Sequence, residues 1–160
     1  MNAAHLHPIL NHILVPGTFI GLGLLSFALW KRSEEAKRTA LGLLVIIALL
    51  AVPAFLTGEP AEGVVKALPG VSQAIIEQHE EAAQGAFIAL CFLGGVALAG
   101  LVCFRRSQLL PSWFAAVALA GSLLVGGWMA WAANLGGQIR HSEIRSGGQA
   151  QTDGTGHHSH

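Results

Sequence analysis

The sequence predicts an all-α integral membrane protein, an antiparallel four-helix bundle with a short surface helix between the second and third spans. Two observations carry that prediction. The chain is 52% hydrophobic and only 11% charged, with a mean hydropathy of +0.56, which is the composition of a membrane protein rather than a soluble one. Its charges are also segregated: no Asp, Glu, Lys or Arg occurs before Lys31, between Thr39 and Gly58, between Ala82 and Phe104, or between Ser107 and Ile139. Each gap accommodates an apolar helix of roughly 20 residues, the length that crosses a hydrocarbon core. The expected spans are 9–30, 39–56, 82–104 and 112–134, in a membrane domain of 1–145 followed by a polar, His-containing tail of 146–160.

The first span opens with His5-Leu6-His7-Pro8-Ile9-Leu10-Asn11-His12, the densest concentration of chemistry in the chain. Pro8 suits the first helical position, where its missing N–H costs nothing, and His7 then stands at the cap. Pro16 cannot donate to the His12 carbonyl, so a bend is expected there. No basic residue precedes this span and it ends in Trp30-Lys31-Arg32, so it is expected to be retained rather than cleaved as a signal peptide. Gly17 and Gly21 form a GxxxG pair, and Gly94 and Gly95 thin the third span. Such small residues serve close helix approach or leave a slot for a flat cofactor.

The loop Lys31–Arg38 holds four basic residues, and Arg105-Arg106 follows the third span. By the positive-inside rule both loops face the cytoplasm, which places the two termini and the long second loop outside. Trp30 and Trp113 mark the inner interface and Trp131 the outer one. The second span ends near Pro53. Thr57-Gly58-Glu59-Pro60-Ala61-Glu62 is then a helix start, predicting an amphipathic surface helix to about Leu68, stopped by Pro69-Gly70. From Ser72 the pattern is helical again and runs into the third span, with Ile75, His79, Ala82 and Ala86 on one inward face. Cys91 and Cys103 lie twelve residues apart, about a third of a turn, so no disulfide joins them. Leu135-Gly136-Gly137 predicts a break after the fourth span.

Because an even number of spans separates each group of histidines from the next, His5, His7, His12, His79 and His141 all fall at one end of the bundle. Asn11, Gln84 and Asn134 are the amides at the same end. Ionisable groups at the mouth of membrane helices are costly and mark function. The expected site brings His12 to His79, with His7, Asn134 and Glu59 or Glu62 nearby.

The His-Pro opening, the Thr-Gly-Glu-Pro-Ala-Glu turn, the His79-Glu80-Glu81 entry to the third span and the Leu-Gly-Gly exit from the fourth together resemble a family of small bacterial four-span membrane proteins of unknown function, over roughly residues 5 to 145. Some members are fused to, or found near, c-type cytochromes and other respiratory modules. The resemblance implies the bacterial inner membrane, periplasmic termini and a heme-binding role, and it carries over no catalytic residue. Covalent c-type heme is excluded, since no Cys-x-x-Cys-His is present.

Three readings follow. The first is a b-type heme for electron transfer, held by His12 or His7 together with His79. The second is a bare divalent metal, zinc, iron or copper, on His5, His12, His79 and His141 with Glu59, Glu62 and Glu80. In the third the chain is an accessory subunit without catalysis of its own, whose histidines only cap helices. Expected partners are the lipid bilayer, other membrane subunits or further copies of the chain, and a periplasmic cytochrome. A tail with so little apolar surface needs a neighbour to order it. A net charge of zero and the absence of any basic, aromatic-studded motif exclude nucleic acid.

Overall fold

The computed structural model describes residues 3–66, 72–107 and 109–140. It contains five helices, α1 Ala3–Lys31, α2 Glu34–Leu56, α3 Gly58–Lys66, α4 Gln73–Cys103 and α5 Ser112–Arg140, with no strand among the described residues. Four are long and apolar enough to cross a membrane, over Leu6–Lys31, Glu34–Gly63, Gln73–Cys103 and Ser112–Ile139. They close into a ring in which α1 packs on α2, α2 on α4, α4 on α5 and α5 back on α1, while α3 lies against α1 and α2. It follows that α1 and α4 sit diagonally across the bundle, as do α2 and α5.

Leu25, Leu41, Leu44 and Leu90 fill the interior, flanked by Ala40, Ala97 and Ala115. Large apolar side chains also point outward: Ile20, Leu49, Phe92 and Leu124 are each more than 60% exposed. A bundle apolar on both its inner and outer faces has lipid as its solvent. Trp30, Trp113 and Trp131 are exposed as well, as interfacial anchors should be.

Glycine brings the helices together. A Cβ at Gly17 would overlap Ile47 and one at Gly94 would overlap the Ala48 methyl, while one at Gly21 would come 2.9 Å from Leu44 Cδ2. These three positions therefore serve close packing of α1 and α4 on α2 and leave no slot. Gly95 faces open space.

The helices run further than their Pro and Gly residues suggested. α1 begins by Ala3 and is α-helical through both Pro8 and Pro16, so Pro8 is not its first residue and His7 is not its cap. α2 runs through Pro53 and ends at Leu56, the expected bound of the second span, whereas α5 passes through Gly136 and Gly137 to Arg140. The physical reason is shared: a helix end in or near lipid strands several backbone groups without water, which costs more than the single hydrogen bond each Pro removes. The surface helix is present as α3, and α4 runs unbroken into the third span. The proposed stop at Pro69-Gly70 and the tail lie outside the described residues.

At the basic end, the first loop is a two-residue turn. Arg32 takes a left-handed conformation, φ 52°, so that the Arg32 and Ser33 N–H groups bond back to Leu29 and Ala28. Ser33 Oγ then accepts the Ala36 N–H at 3.2 Å and caps α2. The loop's charges are not all solvated. Lys37 is only 2% exposed; its Nζ donates to Glu34 Oε1 at 2.7 Å, to the Leu110 carbonyl at 3.1 Å and to Ser112 Oγ at 3.4 Å. Glu34 Oε2 accepts the Leu110 N–H at 2.6 Å. Arg38 Nη2 donates to the Phe104 and Ser107 carbonyls, both at 2.9 Å. These bonds clasp the α1–α2 turn to the α4–α5 connection.

Candidate functional site

The opposite end carries the histidines. Ala54 lies in the last turn of α2, where carbonyls lack intrahelical donors, and His7 Nδ1 lies 2.9 Å from the Ala54 oxygen. A carbonyl only accepts, so Nδ1 carries the proton. Nε2 is then an acceptor, and Asn11 Nδ2 donates to it at 3.0 Å from one turn further along α1. His7 thus has both ring nitrogens satisfied. Gly58 stands beside it, where a Cβ would come 3.4 Å from the ring.

His79 repeats the arrangement on the other hairpin. Its Nδ1 donates to the Ala132 carbonyl of α5 at 2.9 Å, and a Cβ at Gly136 would come within 3.1 Å of its ring. Here lies the role of Gly136: it makes room for the imidazole and does not break the helix. Nε2 of His79 has no partner among the described residues, yet no buried side-chain nitrogen or oxygen among them is left unpaired. Ala82, Ala132 and Leu135 form a small buried apolar cluster, which includes the residue whose carbonyl His79 bonds.

Among the described residues the His79 ring bonds the Ala132 carbonyl and not His12. His12 is exposed, because a helix unbroken from Ala3 turns it roughly 140° away from His7. Asn134 is exposed and accepts from Gln138 Nε2 at 2.7 Å, apart from the histidines, and Gln84 is exposed. Asn11 is the amide that serves the site. Sequence spacing carried this signal, since Asn11 follows His7 by four residues and shares its face.

The carboxylates gather separately. Glu59, Glu62 and Glu80 line an open pocket of about 370 Å³ with Gly63 and Lys66. Glu62 pairs with Lys66, whose ammonium it holds above its usual range. Among the described residues no three of His, Cys, Asp and Glu come together to hold a metal, so His12, His79, Glu59, Glu62 and Glu80 do not form the mixed cluster expected. The His5 side chain and His141 lie outside what is described. A second groove, about 290 Å³, runs between α4 and α5, lined by Gln78, Glu81, Ala82, Trp128 and Trp131.

Comparison with protein-family models, characterised proteins and solved structures finds no match to this chain.

Proposed function

We propose that the chain is a small accessory subunit of a bacterial inner-membrane redox assembly, with its histidine end on the periplasmic side, where it binds b-type heme. One observation carries this reading: His79 is an oriented imidazole whose Nδ1–H is held by the Ala132 carbonyl and whose Nε2 is unpaired among the described residues. Histidines that ligate metals characteristically donate their other ring N–H to a carbonyl or carboxylate, which fixes the tautomer and aims the free nitrogen. The donor chemistry fits heme iron, which takes neutral imidazole as an axial ligand. Heme would supply one-electron transfer. The chain's own residues would orient the ligand through Ala132, make room for it through Gly136 and keep its surroundings apolar with Ala82 and Leu135.

Support for the orientation comes from the basic residues, which lie at the opposite end of the bundle from the histidines. An outer-side metal site is the second reading; Glu59, Glu62 and Glu80 line one pocket, but among the described residues no three such side chains come together to hold an ion. A visible spectrum of the protein purified from heme-replete cells separates the two. The heme reading expects a Soret band that His79→Ala abolishes and His12→Ala leaves intact. No Soret band before or after hemin titration, with near-stoichiometric metal by elemental analysis, would overturn it in favour of the bare metal.

A further inference from the structure

At the histidine end, Trp128 and Trp131 lie one turn apart on α5 and are both exposed. Trp128 is seated by a glycine, since a Cβ at Gly85 of α4 would overlap the six-membered ring of its indole. One turn before Gly85 stand Glu81 and Ala82, and one turn before Glu81 stands Gln78. Together these side chains line the groove of about 290 Å³ between α4 and α5. It opens on the outside of the bundle, because Gln78, Glu81 and both indoles are exposed.

The chemistry of the groove suits a cation. None of its lining residues is basic, and the Glu81 carboxylate makes no hydrogen bond or ion pair among the described residues. Indole faces attract cations through the ring quadrupole, and a carboxylate beside them adds direct charge attraction. At the basic end the protein supplies such a cation itself, with Lys31 Nζ 4.2 Å from the centre of the Trp30 ring. No described side chain does so for Trp128 or Trp131. Donors are present as well, for the Gln78 amide and the two indole N–H groups have no acceptor among the described residues. Glu81 is also the last charge before the stretch from Ala82 to Phe104, which carries none, so the groove stands where headgroups meet hydrocarbon. Deeper in, exposed Ile88 lies two turns from Glu81 and exposed Leu124 two turns from Trp131. They continue the same helix faces and give acyl chains an apolar track.

We propose that this groove binds the headgroup of a zwitterionic phospholipid bearing a primary ammonium, which Glu81 and the indoles of Trp128 and Trp131 hold while the Gln78 amide donates to the phosphate. A primary ammonium gives the carboxylate charge-assisted N–H bonds that a quaternary one lacks. An anionic headgroup without an ammonium would instead set its phosphate against Glu81 with no cation between them. The outward opening and the apolar track below it favour a lipid over a soluble amine. Neither His7 nor His79 takes part, so the site stands apart from the heme reading.

The test titrates the delipidated, detergent-purified full chain with lipids of matched acyl chains. In a Trp30→Phe, Trp113→Phe background, Trp128 and Trp131 are the only tryptophans left of the chain's four, so their fluorescence reads the groove, and native mass spectrometry counts the lipid bound. Phosphatidylethanolamine should bind at a single saturable site, about tenfold more tightly than phosphatidylglycerol. Glu81→Gln should weaken it about tenfold and erase that preference. Trp131→Leu should cost about threefold, most of which Trp131→Phe restores. Glu77→Gln, on an exposed carboxylate already bonded to Gln73, should change nothing. Equal affinity for the two lipids, or a preference that survives Glu81→Gln, would overturn the proposal. Displacement of the lipid by glycerophosphoethanolamine at a comparable concentration would assign the groove to a soluble amine and overturn the lipid.

Discussion

Replacing Lys37 by Met should unfasten the basic end of the bundle. The ammonium is 2% exposed and serves three acceptors on two elements, Glu34 in the first turn of α2 and Leu110 and Ser112 at the entry to α5. Methionine fills similar volume but donates nothing. Hydrogen bonds to charged groups contribute about 1.5–3 kcal/mol each, but these share one cation and are not additive. The Glu34 side chain is 26% exposed, so water recovers part of its loss, whereas the Leu110 carbonyl is left without this donor. Together these considerations give a destabilisation of about 2–4 kcal/mol. The assay is unfolding in mild detergent by added SDS, followed by tryptophan fluorescence. Lys31→Met is the control: that ammonium is exposed and sits 4.2 Å over the Trp30 ring, so its loss should cost no more than about 0.5 kcal/mol. Adding Glu34→Gln to Lys37→Met should cost less than the two single losses combined, as coupled partners do. If Lys37→Met proves no more destabilising than Lys31→Met, Lys37 does not hold the two hairpins together.

Three further outcomes are accessible with the same protein. Arg32→Gly should stabilise by about 1 kcal/mol in that unfolding assay, since φ 52° is strained for arginine and free for glycine. Gly94→Ala should lose about 1–3 kcal/mol because its methyl overlaps that of Ala48. Gly95→Ala, which meets open space, should be neutral or gain up to about 1 kcal/mol from helix propensity, and equal effects at the two positions would refute the packing role of Gly94. A membrane-impermeant thiol reagent should label Arg106→Cys, in a Cys103→Ser background, only after the inner membrane is opened; labelling of intact spheroplasts would reverse the orientation.

What the sequence determined by itself was whatever depends on composition and parity. Four charge-free gaps defined four helices, because lipid excludes unpaired charge, and an even number of spans between His7, His79 and the chain's far end put those groups on one side whichever way the loops face. The inward face of His79 and the short helix after Thr57 were equally legible, being local patterns of one or two turns. The choice between His7 and His12 was not. Helical periodicity gives spacing without phase, and reading Pro8 as the first helical residue removed the turn that aims His7 at Ala54. The same limit hid Lys37, whose partners Leu110 and Ser112 lie 73 and 75 residues away, and it made Gly136 look like a break when its lack of a Cβ admits an imidazole from another helix. The likeness of the α1–α2 and α4–α5 hairpins in helix ends and buried positions is nearly silent in the sequence, since buried Leu25 stands where α4 has buried Ala97 and buried Ala51 where α5 has buried Met129. In a bundle apolar inside and out, burial preserves position rather than residue identity, so only packed helices bring the two hairpins into register.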